Sequence, residues 1–189
     1  VVGSRKISAV GAKLAYNAGS IIGKNGFNLV NGLALGCDAE ALKGALAAGG
    51  KCAVVLPCGI NEIYPKSNQW IAEEVLKQGG CLISEYPEGT RPEKYRFVQR
   101  DRLQSGMSQG VLVVEAMEKS GTMHTAEYAK KQNRRLACYY HGLLKYSTGN
   151  NVLENLYQAA VIKTNEDLEN YLCEIADIEE YTQLSFDFV

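Results

Sequence analysis

The chain has 189 residues, 46% of them hydrophobic, and a formal net charge of −1. This length is enough for one domain with a full core, and no apolar run is long enough to span a membrane as a helix. Since no signal peptide is recognisable, we expect a soluble, cytoplasmic protein whose first strand, already apolar at Val1, is clipped.

Charge is distributed unevenly along the chain. Residues 1–162 carry 19 Lys and Arg against 13 acids, whereas residues 163–189 carry one Lys and eight acids. A basic body with an acidic tail is compatible with a polyanionic ligand. The six cysteines include no CxxC pair, and Cys52, Cys81 and Cys138 fall in strand-like runs. We therefore expect reduced, buried thiols, and we expect neither a metal site nor a cofactor.

Strand-like and helical segments alternate over residues 1–175, which we predict to be one Rossmann-like domain followed by an acidic tail over 176–189. In chain order, strands are predicted within 1–8, 27–38, 52–59, 81–87, 111–114, 135–140 and 159–163, and helices over 11–24, up to 48, 69–78, 97–107, around 126–135, 149–158 and 166–173. We expect Gly26 to terminate the first helix and Asp38 to cap the second. This alternation predicts an α/β fold with a doubly wound, mostly parallel sheet.

Several predicted strands end in glycine-containing turns that can present backbone N–H groups to an anion. These turns are Gly3-Ser4-Arg5, Asn31-Gly32-Leu33-Ala34, Pro57-Cys58-Gly59 and Ser120-Gly121-Thr122. In an open parallel sheet they lie at the carboxyl ends of strands, where ligands usually bind. Arg5 adds a planar fork that matches phosphate geometry. The structural alternative for each turn is simple chain reversal. Neither a P-loop nor a GxGxxG motif is present, so ATP hydrolysis and dinucleotide use are not expected.

Residues 95–102 form a second candidate site, because they combine three arginines with Tyr95 and Phe97. Cations of this kind follow the phosphates of a single strand, and an aromatic face stacks a base. The alternative is a solvated helix with Phe97 docked into the core.

The chain resembles the Rossmann-like domain of the DNA-processing DprA (Smf) family in the order and spacing of seven segments: VGSRKIS, NGLALGCDAEALKGAL, LPCGINEIYPKSN, LISEYP, RFVQRDRLQSGMSQGVLVVEA, EKSGTMHTAEYA and GNNVLENL. The resemblance covers about residues 1–162. It implies non-catalytic binding of single-stranded DNA, with the RecA recombinase and a second copy of the chain as partners. The motifs do not locate the recombinase or dimer surfaces.

By this resemblance, four segments would hold the strand. Gly3, Ser4 and Arg5 match the family's GSR turn, whose Arg holds a backbone phosphate. The other matches are Gly32, Ala34, Gly36 and Asp38 in the SGxAxGxD turn, Phe97, Arg100 and Arg102 in the N-F-P-R-R-N-R segment, and Ser120, Gly121, Thr125 and Ala126 in the SGSLxTA turn. The predicted phosphate and nucleic-acid site consists of Gly3, Ser4, Arg5, Gly32, Ala34, Gly36, Phe97, Arg100, Arg102, Ser120, Gly121, Thr122 and Thr125.

The chain also departs from the family pattern. Four residues of the N-F-P-R-R-N-R segment are replaced, and the residues found here are Arg96, Val98, Gln99 and Asp101; in addition, Asn31 replaces a Ser and Leu42 a His. An acid such as Asp101 beside a phosphate path would weaken binding. A nucleotide-like phosphate ligand therefore remains an alternative to a DNA strand.

An enzyme or nucleotide sensor is the rival interpretation, because the same superfamily includes LOG phosphoribohydrolases and SLOG sensors. In LOG enzymes an acid of a GGxGTxxE motif acts on an N-glycosidic bond, and Glu115 and Glu127 flank the corresponding turn at 120–122 here. However, the double glycine is missing. Glu127 falls on the following helix, where a solvated role or a pair with a lysine is the default.

The end of the chain offers a third hypothesis. Gln183, Leu184, Phe186 and Phe188 resemble the peptide by which many bacterial repair and replication proteins dock the sliding clamp, so the protein could be a scaffold recruited through its tail. The alternative is that these apolar residues form an edge strand or cap on the domain.

Overall fold

The computed structural model describes residues 1–176, and it confirms the predicted α/β fold with parallel strands. The strands are β1 (Leu29–Asn31), β2 (Cys52–Val55), β3 (Cys81–Ile83), β4 (Gly110–Val113), β5 (Arg135–Tyr139) and β6 (Ala160–Ile162). The helices are α1 (Ala9–Lys24), α2 (Cys37–Ala47), α3 (Gln69–Lys77), α4 (Lys94–Gly106), α5 (Gly121–Lys131), α6 (Thr148–Tyr157) and α7 (Asn165–Ala176). Within residues 1–176, no helix has the length and hydropathy required to cross a membrane.

The strands form two parallel three-stranded sheets, ordered β1-β2-β3 and β4-β5-β6. Residues 1–4 lie between them, because Val2 pairs with Val113 of β4 and the Val1 amino group donates to Val30 O of β1 at 3.2 Å. From this centre the chain winds outward through β1, β2 and β3, then crosses to the other side for β4, β5 and β6. Strand order therefore reverses beside residues 1–4, and a ligand crevice is expected at the carboxyl ends of the strands there.

The core lies on both faces of the strands. One group of buried side chains includes Ala15 of α1, Leu42 of α2 and Leu172 of α7, and a second includes Ala126 of α5 and Leu153 of α6. Because helices cover both faces, the central strands are buried throughout and read as continuous apolar runs instead of alternating ones.

Asn150, at the start of α6, joins the carboxyl ends of β4 and β5. Its Nδ2 donates to Val114 O and to Tyr139 O, both at 2.9 Å, and its Oδ1 accepts from Ala116 N at 2.9 Å. The side chain is fully buried. One amide therefore satisfies three backbone groups that the sheet leaves unpaired where the strands end.

The structure corrects three local expectations. α4 begins at Lys94, three residues before the predicted start, because its exposed polar first turn has no apolar periodicity. Asp38 does not cap α2: Gly36 is the N-cap residue, and the Asp38 carboxylate instead accepts from the amides of the preceding turn. Cys81 and Cys173 are exposed, because β3 lies at the edge of its sheet and Cys173 lies on the outer side of α7.

We predict that Asn150→Ala lowers the free energy of unfolding by about 2–4 kcal/mol, because it leaves buried backbone groups without partners. Urea denaturation followed by circular dichroism measures this loss. Asn155→Ala, an exposed position on the same helix, is the matched control and should change stability far less. Equal stability of the two variants would contradict the bracing role of Asn150.

Candidate functional site

A cleft of about 940 Å³ opens at the point where the strand order reverses, and we call it the switch-point cleft. Its lining comes from residues 2–6, from α4 and from the segment between Met117 and the first turns of α5; Ala34, Asp38, Tyr64 and Tyr146 complete it. Its size is that of sites for small molecules and single nucleotides.

The rim of the switch-point cleft carries exposed cations beside aromatic rings. Arg5, Lys6 and Lys94 are exposed, and the Arg5 guanidinium lies 4.8 Å from the centroid of the Phe97 ring. Tyr64 meets the same ring edge-on, with centroids 5.7 Å apart. Across residues 1–176, no ion pair or hydrogen bond engages the Arg5 guanidinium. It is therefore free to bind an anion while it stacks on Phe97.

The N-terminus of α5 also borders the cleft. Ser120 is its N-cap residue, but the Ser120 hydroxyl donates to Met117 O at 2.7 Å and makes no bond to a helix amide. The first turn contains no acidic residue. The positive end of this helix, formed by Ser120, Gly121 and Thr122, can therefore attract an anion in the cleft.

The floor of the cleft is built around Arg100 of α4, which is only 4% exposed. Its Nη1 donates to Val55 O at 2.6 Å, at the end of β2. Its Nε lies 3.3 Å from Asp101 Oδ1 but outside hydrogen-bonding geometry. A Cβ on Gly32 would overlap the Arg100 guanidinium, so glycine is needed there. Arg100 thus ties α4 to the sheet.

Two buried carboxylates accompany Arg100. Asp38 Oδ2 accepts from the amides of Gly32 and Ala34 at 3.0 and 3.3 Å, and Asp101 Oδ1 accepts from Gln104 Nε2 at 3.0 Å. Burial raises the pKa of Asp38, and it raises the pKa of Asp101 to about 6, although the nearby guanidinium opposes both shifts. Burial likewise lowers the pKa of the guanidinium, against the pull of the two carboxylates.

Gly36 shapes the approach of the N-terminal segment to this floor. Its φ is +73°, and a Cβ there would overlap the backbone carbonyls of Ser4 and Arg5. The segment that carries Arg5 therefore passes directly over Gly36, which only glycine allows.

Most of the predicted site residues come together in the switch-point cleft. Those that line it are Gly3, Ser4, Arg5, Ala34, Phe97, Arg100, Ser120, Gly121, Thr122 and Thr125. Gly32 and Gly36 lie beneath the lining as packing positions. Arg102 lies outside it, on the exposed face of α4, and both oxygens of Glu85 accept from its Nη2 at 2.6 Å. The Pro57–Gly59 turn does not line the cleft either.

Neither carboxylate of the enzyme hypothesis lines the cleft. Glu115 is fully buried, and its oxygens accept from Ser8 N at 2.8 Å and Tyr146 N at 3.1 Å. It therefore binds backbone amides of two loops. Glu127 is half-exposed on α5, with its carboxylate 3.8 Å from the His124 ring.

Several lining residues are not among the predicted site residues, including Lys6, Tyr64, Lys94 and Gln104. Tyr64 had a weak signal, because it lies in the family-like segment LPCGINEIYPKSN. Gln104 had the same weak signal, because it lies in the family-like segment RFVQRDRLQSGMSQGVLVVEA, whereas Lys94 had none, because only the orientation of α4 brings it to the cleft.

The switch-point cleft and the parallel sheet define a Rossmann-like domain with a crevice where its strand order reverses, and comparisons identify its family. The model of the DNA recombination-mediator protein A family matches residues 1–172. Protein Smf of Synechocystis sp. is 39% identical over 134 residues, which are 71% of this chain and 33% of that protein. Protein Smf of Escherichia coli (strain K12) is 40% identical over 136 residues, 72% of this chain and 36% of that protein.

A solved structure supports the same family assignment. DNA processing protein A from Helicobacter pylori superposes with a TM-score of 0.82 and 30% identity, over 92% of this chain and 78% of that one. The chain therefore belongs to the DNA recombination-mediator protein A family, that of the DprA and Smf proteins, whose context is DNA processing in recombination. It spans about a third of the length of the two Smf proteins.

The raised pKa of Asp101 predicts a specific pH dependence of stability. The folded protein holds the Asp101 proton up to about pH 6, whereas the unfolded chain releases it near its ordinary pKa of 3.8. This carboxyl therefore makes folding less favourable as the pH rises through that window. Between pH 5 and pH 8, wild type should lose about 1 kcal/mol more of its unfolding free energy than Asp101→Asn does. Urea denaturation at both pH values measures the difference, and parallel pH profiles of the two proteins would contradict it.

Proposed function

We propose that the switch-point cleft binds single-stranded DNA without hydrolysing it. The observation that carries this proposal is the Arg5 guanidinium stacked on the Phe97 ring, 4.8 Å from its centroid, at the rim of a cleft that also borders the N-terminus of α5. The guanidinium and the helix terminus offer two phosphate sites, and the aromatic rings of Phe97 and Tyr64 offer a surface on which a base can stack.

The charge of the rim supports this proposal. Arg5, Lys6 and Lys94 are exposed, and none of the three is paired with an acid among residues 1–176. Unpaired cations around a crevice attract a polyanion, and their phosphate contacts make the affinity depend on salt. The structure from Helicobacter pylori, 30% identical to this chain, is described as showing a single-stranded DNA binding mode.

We predict that Arg5→Ala weakens binding of a labelled oligo-dT about tenfold at about 50 mM salt, because one phosphate contact is lost. The slope of log affinity against log salt should become shallower by about 0.7 for the same reason. Fluorescence anisotropy between about 50 and about 200 mM salt measures both quantities.

Arg135→Ala is the matched control, because Arg135 is an exposed arginine at the amino end of β5, on the opposite edge of the sheet. It should leave both the affinity and the slope nearly unchanged. Equal effects of the two substitutions would contradict a specific site at Arg5, and no binding of oligo-dT by wild type would overturn the proposal.

The enzyme alternative makes a different prediction. If Glu115 or Glu127 acted on an N-glycosidic bond, wild type would release free base from nucleoside monophosphates, and Glu115→Gln or Glu127→Gln would abolish the release. We expect no release by any of the three proteins, because both carboxylates lie outside the cleft lining. Chromatography of the reaction mixtures checks this. A sensor would instead bind a free nucleotide as tightly as an oligonucleotide.

The proposed partners follow from the resemblance alone. RecA and a second copy of the chain are expected for a protein of this family, and the sliding clamp is expected only if the tail peptide binds it. Gln183, Leu184, Phe186 and Phe188, which would make that contact, lie outside the described residues.

A further inference from the structure

Charge in the switch-point cleft is divided between rim and floor. The cations Arg5, Lys6 and Lys94 are exposed at the rim, whereas the acidic residues of the lining, Asp38 and Asp101, are buried at the floor. The single positive charge of Arg100 offsets the negative charge of only one of these two carboxylates. A phosphate is therefore favoured at the rim and disfavoured at the floor, so a bound nucleotide would enter with its base pointing inward.

The floor also contains polar groups without partners. Asp101 Oδ1 accepts from Gln104 Nε2, but no hydrogen bond within residues 1–176 reaches Asp101 Oδ2. Gln104 is 3% exposed, and its Oε1 has no hydrogen-bond partner among the described residues. Thr125 is also 3% exposed and lines the cleft, and across the described part of the chain its hydroxyl makes no hydrogen bond. Of these atoms, Gln104 Oε1 is buried, and buried polar groups are normally paired. Asp101 and Thr125 line the cleft, so Asp101 Oδ2 and the Thr125 hydroxyl are available to a ligand.

We propose that Asp101 and Thr125 read the Watson–Crick edge of one unstacked base, and that they select guanine over thymine. This inference rests on the proposed function, because it assumes that a nucleotide occupies the switch-point cleft.

The hydrogen-bonding groups of the bases explain why guanine would be selected over thymine. Guanine presents two adjacent donors, N1–H and the N2 amino group, and a carboxylate has two oxygens that can accept both. Its O6 can accept from the Thr125 hydroxyl. Thymine presents a single N3–H between two carbonyl oxygens, which a carboxylate repels. Adenine and cytosine each present one amino donor and should rank between the two.

The family motif has Asn where this chain has Asp101. An amide offers one oxygen and one NH₂ group, so it cannot accept from two adjacent donors as a carboxylate does. The preference for guanine is therefore a property of this chain, and Asp101→Asn should remove it.

Competition binding at about pH 7.5 tests the proposal. Unlabelled oligo-dT strands that carry one central dG, deoxyinosine, dA or dC displace a labelled oligo-dT from wild type. The dG strand should compete about tenfold better than the all-dT strand. Deoxyinosine, which lacks the N2 amino group, should lose most of this gain. Because the strands vary and the protein does not, misfolding cannot mimic the result.

Two variants complete the experiment. Asp101→Asn should bind dG and dT strands equally, while Glu127→Gln, which removes a charge from the outer side of α5, should keep the wild-type preference. Thermal melting of each variant establishes that it is folded.

Equal competition by dG and dT strands in wild type, with binding still weakened by Arg5→Ala, would overturn base selection and leave the proposed function standing. If no oligonucleotide binds, thermal shift with dGMP and dTMP tests whether the cleft binds a free nucleotide instead. Stabilisation by dGMP alone, lost in Asp101→Asn, would support the guanine site for a free nucleotide and overturn strand binding. The absence of any shift would overturn both proposals.

Discussion

The buried guanidinium of Arg100 connects parts of the chain that are distant in sequence. It donates to Val55 O at the end of β2, packs against Gly32 in the turn after β1, and lies beside Asp38 and Asp101. Breaking one side of a buried ion pair leaves an uncompensated charge and costs about 3–5 kcal/mol. The position of α4, and with it the floor of the switch-point cleft, therefore depends on this group.

Two other buried polar residues hold the loops around the cleft. Glu115 accepts from the amides of Ser8 and Tyr146, and Asn150 bonds to three backbone groups at the ends of β4 and β5. Their polar atoms are used by the backbone and are not directed at a ligand. What remains for a ligand is the exposed rim, the N-terminus of α5 and a few unpaired atoms at the floor.

The structure places Asp101 differently from what the sequence predicts. From the sequence, an acid beside the arginines of α4 was expected to oppose phosphate binding. Asp101 is instead buried at the floor with Arg100, while the exposed cations lie at the rim. The two signs of charge are therefore separated, and in the proposed complex the acid would face a base while the phosphates lay near Arg5. A departure from the family pattern thus becomes a candidate determinant of base preference.

The alternation of strands and helices can be predicted from the sequence, and so can the parallel sheet, the family, and three of the turns that meet in the cleft. These follow from local signals: apolar runs, glycine turns and motif order. The tertiary structure was needed to show that Arg100 points inward while Arg5 has no partner among residues 1–176. It was also needed to show that Glu115 and Asp38 bind backbone amides, and that Tyr64 and Gln104 reach the cleft. Local sequence cannot show this, because the burial and the partners of a polar side chain depend on contacts with residues as distant as Val55 is from Arg100.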